Sequence, residues 1–150
     1  MKRLVILLMA LSLTAAAHAN VNIRTNQAST GIMVGSYADG IGGIFSYSIP
    51  IQADGLRRSG LGLMIDAELG GGIGDDFVMA GDLGLNLMFF LNNATSIYAG
   101  LGLGTQLLPG SDFGPSGEIG INFRLDSARL FVEAGQHPGQ NNYLGIGMRF

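Results

Sequence analysis

The stretch that decides the fold is Asn141–Phe150, N-N-Y-L-G-I-G-M-R-F, the last ten residues of the 150-residue chain. Its residues alternate between two sets. The apolar set is Leu144, Ile146, Met148 and Phe150, and the mixed set is Tyr143, Gly145, Gly147 and Arg149. A strict period of two predicts a β-strand with one apolar face. Because the apolar set ends on an aromatic side chain, we expect that face to meet a membrane boundary, where aromatic residues form a girdle.

The first 19 residues have the features of a secretory signal peptide. Lys2 and Arg3 form a short basic start, residues 4–17 are apolar or small with two hydroxyl interruptions, and Ala17-His18-Ala19 has the small-x-small form of a cleavage site. The apolar run is shorter than the roughly 20 residues that a membrane-spanning helix needs. We therefore expect residues 1–19 to be removed and the mature chain to be exported.

The charged residues of the mature chain exclude some classes of function. Of the 8 basic residues, Lys2 and Arg3 lie in the predicted signal peptide, so six remain, all arginine, against 11 acidic residues, a net charge of about −5. Nucleic-acid binding is disfavoured because it requires clustered basic residues. The chain has no cysteine, so this exported domain must close its fold without disulfides. A closed barrel does so because every strand has two hydrogen-bonded neighbours.

Glycine is unusually abundant, with 25 residues. A three-residue period typical of collagen is absent, and the glycines stand among Leu, Ile, Met and Phe, unlike those of a flexible linker. This pattern indicates strands whose second face is crowded. Long apolar runs are missing, which excludes helical membrane proteins and leaves β-barrels open.

Alternation along the mature chain predicts eight strands, at about 31–38, 41–51, 60–70, 77–89, 95–107, 118–125, 129–135 and 143–150. Residues 20–30 are expected to be an irregular lead-in, and residues 31–150 the barrel domain. Asp39-Gly40 is a two-residue hairpin signal. Residues 71–76, 109–116 and 136–142 are predicted to be loops, the second because prolines disfavour strand interiors. Most strands have the length needed to cross a bilayer at a tilt, so we predict an all-β, closed, antiparallel transmembrane barrel.

The two faces of these strands differ in chemistry. One collects nearly all the Leu, Ile and Phe and no charge. The other collects glycines and a set of ionisable side chains: Asp66, Glu68, Asp82, Glu118, Arg124, Arg129, Glu133 and Arg149. In an eight-stranded barrel the interior is only wide enough to be filled by side chains. We therefore expect a paired charge network in a plugged interior, in preference to an ion pathway or an acid/base pair formed by Asp66 and Glu68.

The predicted strands, the segment Ser96–Gly104 with sequence S-I-Y-A-G-L-G-L-G, and the closing strand together resemble small outer-membrane β-barrel proteins of the OmpA/OmpX-like kind. The resemblance implies an outer-membrane location and outer-membrane lipid as the surroundings. The C-terminal set Leu144, Ile146, Met148 and Phe150 resembles the signal by which barrel-assembly machinery recognises its clients.

The predicted connections depart from that family's pattern. Such barrels usually have short periplasmic turns and long outer loops, whereas the connections predicted to be outer are all short here. The connection at 52–59, predicted to be periplasmic, is as long as any of them. Adhesion or receptor roles carried by long surface loops are therefore disfavoured.

Three functional hypotheses remain open from the sequence. The first, which we prefer, is a non-enzymatic barrel with a structural, envelope-integrity or interaction role. The second is a lipid-modifying enzyme of the lipid A acyl hydrolase type using His137, although Gly139 stands where such enzymes have a serine two positions after the histidine. A nucleophile from elsewhere, such as Ser111 or Ser116, has no motif to support it. The third is a soluble periplasmic lipid-binding barrel with its apolar face inward.

No cofactor or metal site is predicted. His137 is the only histidine of the mature chain and is expected to be a solvated loop residue, and the chain has no cysteine. Three aspartates at the predicted outer rim, Asp75, Asp76 and Asp112, match no calcium-loop spacing. The sequence predicts no particular oligomeric state.

Overall fold

A computed structural model describes residues 28–53, 55–56 and 59–150. Eight strands follow one another along the chain: β1 Ser29–Tyr37, β2 Gly40–Ile51, β3 Leu61–Ile73, β4 Phe77–Phe90, β5 Thr95–Leu108, β6 Asp112–Arg124, β7 Arg129–His137 and β8 Asn141–Arg149. The predicted signal peptide lies outside the described residues. No helix in the described ranges is both long and apolar enough to cross a membrane.

The eight strands form a closed antiparallel barrel in which each strand pairs with the next in sequence. Strand β8 closes the barrel by pairing with β1, from Gly31 opposite Arg149 to Tyr37 opposite Tyr143. Two further backbone hydrogen bonds join Thr30 and Phe150, with N to O distances of 3.1 and 2.9 Å. The predicted strand count and closed all-β fold are confirmed.

The apolar face of the strands points outward. Leu101, Ile119 and Leu83 expose 78%, 63% and 60% of their surface, and charged side chains take no outward position in the eight strands. In β1, whose facing the sequence left ambiguous, Ile32 points outward while Met33 and Tyr37 are buried. The soluble-carrier hypothesis required the opposite arrangement and is wrong on this point, because the interior holds the charged side chains.

We name the two ends of the barrel by their connections. The tight-turn end carries the turns 38–39, 74–76, 109–111 and 138–140, and the terminal end carries both chain termini of the barrel and the connections 52–60, 91–94 and 125–128. The first turn is Ala38-Asp39, with φ of 46° and 63°, one residue earlier than predicted. Positive φ at both central residues is what a two-residue hairpin requires.

Several predicted boundaries are wrong because strand pairing extends further than local composition indicates. Strand β1 begins at Ser29, inside the predicted lead-in, and β3 continues to Ile73 through the glycine run that was predicted to begin a loop. Gly71 and Gly72 pair with β2 on one side and β4 on the other. A Cβ on Gly72 would approach the Tyr37 side chain to 2.9–3.0 Å, so the missing side chain makes room for a buried aromatic residue.

The predicted loops at 109–116 and 136–142 are also shorter in the structure. Strand β6 begins at Asp112, and β7 and β8 run to His137 and from Asn141. Pro115 lies within β6 opposite Leu103 of β5, while β7 pairs with β6 only from Gly117 onward. Proline is tolerated there because β6 has a neighbour on one side only, which is the condition for an edge strand.

Candidate functional site

The candidate site lies inside the barrel and is centred on His137, the last residue of β7. The imidazole is 1% exposed, which corrects the expectation of a solvated loop histidine. Its Nδ1 atom is 2.8 Å from the Tyr37 hydroxyl, and its Nε2 atom is 3.1 Å from Glu68 Oε2 and 3.8 Å from Asp82 Oδ2. The site therefore joins β1, β3, β4 and β7.

A tight turn fixes the position of His137. Pro138 is buried, Gly139 and Gln140 have φ of 79° and 62°, and the chain reverses into β8. The Asn141 side-chain amide donates to the Pro138 carbonyl at 2.5 Å and to Gln106 Oε1 at 2.9 Å. These bonds tie the turn to β5, so the imidazole is held where the interior meets the tight-turn end.

A second cluster surrounds the guanidinium of Arg149, which is also 1% exposed. Its Nη2 atom lies 3.1 Å from Glu133 and 3.5 Å from Asp66. The guanidinium carbon lies 4.5 Å from the ring centre of Phe131 and 4.9 Å from that of Tyr98. The Tyr98 hydroxyl donates to Glu133, so a cation, two carboxylates and two rings form one buried group.

Carboxylates link the two clusters. The Tyr143 hydroxyl donates to Glu68 Oε2 and Glu118 Oε2, each at 3.4 Å, and the Asn86 side-chain amide donates to Glu118. Ser48 donates to Asp66 at 2.9 Å. A cavity of about 10 Å³ lies between these groups, and its lining includes Asp66, Glu68, Asp82, Glu118, Ser116 and Tyr143.

Two residues predicted to belong to the interior charge network lie elsewhere. Arg124 is exposed and Arg129 is half-buried, because they are the last residue of β6 and the first of β7, at the terminal end. They line a pocket of about 270 Å³ together with Asn92, Asn93 and Asn122. The structure brings together the other six predicted residues, with Asp82 and Glu118 half-buried and the rest buried.

Inward glycines provide the space for these side chains. A Cβ on Gly70 would lie 2.5 Å from the Tyr37 ring and 2.8 Å from that of His137. A Cβ on Gly147 would lie 2.5 Å from Phe131, and one on Gly135 would lie 2.5 Å from the Tyr143 hydroxyl. Bulky inward residues therefore pack over glycines of neighbouring strands.

The sequence interpretation missed the role of the tyrosines and of Asn86. Tyr37, Tyr98 and Tyr143 are buried and bond to members of the two clusters. The signal was present, because Tyr98 and Tyr143 have the parity of the glycine face. His137 likewise has the parity of Glu133 along β7, which indicates an inward side chain.

Two groups of interior side chains have the geometry to hold a metal ion. Glu68, Asp82 and His137 each offer one ligand atom, and these three atoms lie within 4.8 Å of one another. Asp66, Glu68 and Glu118 form a second such group. Glu68 belongs to both, so the groups adjoin across the cavity.

Comparisons with known proteins identify the fold. No protein-family model matches the chain. No curated protein matches its sequence. Among solved structures, a de novo designed transmembrane β-barrel has a TM-score of 0.64 at 14% identity and covers 83% of this chain and 94% of its own. The outer membrane enzyme PagL has a TM-score of 0.58 at 14% identity, covering 81% and 98%.

The crystal structure of Ail, the attachment invasion locus protein of Yersinia pestis, has a TM-score of 0.52 at 14% identity, covering 82% and 96%. At this level of identity the likeness concerns the fold alone. The chain therefore has the architecture of an eight-stranded outer-membrane β-barrel, as the resemblance in the sequence implied.

Proposed function

We propose that this protein is an integral outer-membrane β-barrel with a structural or envelope-integrity role, and that it neither conducts ions nor catalyses a reaction. The observation that carries the proposal is the combination of an uncharged apolar exterior with an interior filled by side chains. An apolar belt of this extent is unfavourable in water and favourable against lipid. A filled interior removes the route that a pore would use.

The exterior supports the membrane part of the proposal. Outward apolar side chains are exposed on β2 through β8, for example Phe45 at 51%, Leu85 at 51% and Leu144 at 56%. The strands are 9 to 14 residues long, and about 9–11 tilted residues suffice to cross the hydrocarbon core. Closure of the barrel gives every strand a paired neighbour on both sides along the middle of the barrel, as lipid requires.

The interior supports the absence of conduction. Tyr37, Tyr98, Phe131, His137 and Arg149 are each at most 2% exposed. The cavity between the clusters has room for roughly one water molecule by its volume of about 10 Å³. A hydrated ion crossing the barrel would have to displace several of these packed rings.

The connections at the tight-turn end support a role with few surface contacts. They contain only two or three residues each. If this end faces outward, as we propose, these short connections project little above the membrane. Loop-borne adhesion is therefore not part of the proposal.

The lipid-modifying alternative has one observation in its favour, the fold shared with the enzyme PagL. In this chain, however, the proposed catalytic His137 is enclosed and its two ring nitrogens face Tyr37 and Glu68. Ser116 is also buried. A lipid substrate would have to enter the packed interior to reach either residue, which is why we propose a non-catalytic role.

Heat-modifiability and conductance together test the proposal. We expect the protein in outer-membrane fractions, extractable only with detergent, migrating as a compact band on a denaturing gel and shifting after boiling. In planar lipid bilayers we expect no stable conducting steps. Recovery in the soluble fraction would contradict the membrane part, and reproducible conductance by the compact form would contradict the filled-interior part.

We further propose that barrel-assembly machinery is a transient partner. Phe150 follows β8, its backbone pairs with Thr30, and Leu144 and Ile146 point outward on β8. Strand β8 thus offers an exposed apolar row, and one of its backbone edges is paired only by closure against β1. A folding factor could bind that strand before closure.

A further inference from the structure

We propose that Glu68, Asp82 and His137 bind one divalent transition-metal ion, of the zinc type, inside the barrel. The inference concerns a site beyond the structural role proposed above and stands on the geometry of the interior. It also revises the sequence-based expectation of no metal site, which rested on the scarcity of histidine and cysteine. The ligands here are one imidazole and two carboxylates, brought together from three strands.

The distances between the ligand atoms suit a tetrahedral ion. His137 Nε2 lies 3.1 Å from Glu68 Oε2 and 3.8 Å from Asp82 Oδ2. Zinc bonds of about 2.0–2.1 Å at tetrahedral angles separate neighbouring ligand atoms by about 3.3 Å. The two separations from Nε2 lie on either side of this value, and all three ligand atoms lie within 4.8 Å of one another.

The hydroxyl of Tyr37 is placed to orient the imidazole for metal binding. It lies 2.8 Å from His137 Nδ1. A hydroxyl can donate or accept a hydrogen bond, so it can accept from an Nδ1–H group and leave the Nε2 lone pair directed at Glu68 and Asp82. Metal-binding histidines almost always make such an outer hydrogen bond.

The surrounding space supplies further oxygen atoms. The small cavity adjoins Glu68 and Asp82 and reaches Asp66, Glu118 and Tyr143. The volume of about 10 Å³ corresponds to about one water molecule, which is what the open fourth position of a three-ligand zinc site accepts.

A buried polar side chain without a partner lies against the wall of the same cavity. Asn86 is 0% exposed, and its Oδ1 atom has no hydrogen-bond partner among the described residues. That oxygen lies over Gly100, which forms part of the cavity wall, while its amide nitrogen binds Glu118. A water in the cavity would be a donor of the kind that this oxygen lacks.

The distribution of charge favours a cation. Arg149 pairs with Asp66 and Glu133, whereas Glu68 and Asp82 face a histidine. Buried carboxylates are costly unless a cation or metal compensates them. A divalent ion would compensate Glu68 and Asp82 without moving Arg149. The competing arrangement is a metal-free cluster in which protons shared among the carboxyl groups reduce the charge.

Metal content of the refolded barrel tests the inference. The full mature chain is refolded in detergent with ZnCl₂, with MgCl₂, or with a chelator, freed of loose metal by gel filtration, and assayed by elemental analysis. Loading during folding matters because the finished site is enclosed. Co²⁺ is used in parallel, since tetrahedral Co²⁺ gives strong visible absorption.

Four variants locate the ion. Asp82→Asn and His137→Gln remove ligands with little change of shape, Tyr37→Phe removes only the orienting hydroxyl, and Asp112→Asn at the tight-turn rim is the control. Heat-modifiability is measured for each, so that a variant that does not fold is recognised. In competition with a chromophoric chelator, loss of the hydroxyl should weaken binding by about 10–100-fold, the range seen for outer hydrogen-bond partners.

We expect about one zinc per folded wild-type and Asp112→Asn barrel, with retention reduced at least tenfold by Asp82→Asn and His137→Gln. Metal-free wild-type barrel after refolding with zinc would overturn the inference in favour of shared protons. Stoichiometric binding that survives both ligand substitutions but is lost in Asp112→Asn would also overturn it, because the ion would then lie at the rim. Both outcomes leave the proposed structural function untouched.

Discussion

Arg149 is the residue on which the charge balance of the middle of the barrel depends. It is fully enclosed, it forms ion pairs with Glu133 and Asp66, and it lies against the rings of Tyr98 and Phe131. Removing one partner of a buried ion pair leaves an uncompensated charge, which costs more than the pair contributes. The interior should therefore respond much more strongly to the loss of this arginine than to the loss of a rim arginine.

We expect Arg149→Met to lower the free energy of unfolding by about 3–5 kcal/mol. Urea unfolding of the barrel in detergent or phospholipid vesicles measures the change. Arg124→Met, on the exposed terminal end, is the matched control and should change it by at most about 1 kcal/mol. Glu133→Gln in the Arg149→Met background should recover part of the loss, and equal effects of the two arginine substitutions would contradict the buried network.

Gly70 supports the His137 cluster by having no side chain. We expect Gly70→Ala to displace the Tyr37 and His137 rings and to cost about 1–3 kcal/mol, the usual range for overpacking. Gly84→Ala on the neighbouring strand is the control, because its Cβ would meet nothing closer than 3.5 Å. The same urea titration compares them, and a control as destabilised as Gly70→Ala would argue against the steric explanation.

The sequence predicts which face of a strand a residue occupies, because the face follows from alternation. It does not predict how close a residue lies to the end of its strand. Parity alone places Glu133 and Arg149 on the inward face. It cannot show that the inward positions of Arg124 and Arg129 lie at the mouth of the barrel, since that depends on where the strands end. It also cannot show that His137 meets Glu68, because the two residues are 69 positions apart and meet only through barrel closure.

Strand β6 shows that the stability cost of a proline depends on whether the strand is paired on one side or on both sides. Pro115 lies where β6 overhangs β7, whereas Ile119 pairs with Ala99 of β5 and Ala134 of β7. A proline removes a backbone donor, and an unsatisfied partner in lipid costs several kcal/mol. The overhang is therefore the part of β6 where a proline can be accommodated.

We expect Pro115→Val to change the free energy of unfolding by no more than about 0.5 kcal/mol. Ile119→Pro should instead lower it by several kcal/mol or prevent folding. Ile119→Val, which keeps the backbone donor, is the control for loss of side-chain volume and should remain heat-modifiable. Tolerance of Ile119→Pro would mean that β6 is not paired on both sides at this position.

Strand β8 closes the barrel, and Phe150, which follows it, extends the pairing with β1. We expect Phe150→Asn to reduce the amount of protein in the outer membrane while leaving export unchanged, because the aromatic end of the strand would no longer be available to a folding factor. Fractionation after pulse labelling measures both quantities. Phe113→Asn, on the exposed tight-turn end of β6, is the control, and wild-type membrane levels of Phe150→Asn would contradict the proposed assembly signal.

For the whole molecule, the closed eight-stranded barrel could be predicted because every strand repeats the same two-residue alternation. The connections could not be predicted as well. Composition marks the glycine run at 70–72 and Pro115 as breaks, but strand pairing and the space required by Tyr37 override that local preference. Which chemistry the enclosed carboxylates support is likewise a property of the closed barrel, since the carboxylates come from four different strands, β3, β4, β6 and β7.

The position of the barrel in a membrane makes a depth-dependent prediction. Leu101 has the most exposed large apolar side chain of the described residues, at 78%, and it lies opposite Leu85 in the middle of the β4–β5 pair. Arginine at the bilayer midplane costs about 2–4 kcal/mol, falling to about 0–1 kcal/mol near the interface. We therefore expect Leu101→Arg to lower the free energy of unfolding in phospholipid vesicles by the larger amount.

Gln136 lies outward on β7 beside the tight-turn end. We expect Gln136→Arg to lower the free energy of unfolding by only about 0–1 kcal/mol. The difference between the two variants, measured by urea titration in vesicles, separates membrane depth from the general effect of an added charge. In a barrel whose outward face met water, both arginines would be nearly neutral. Equal effects in vesicles would therefore contradict burial of this face in lipid even if the protein folds as a barrel.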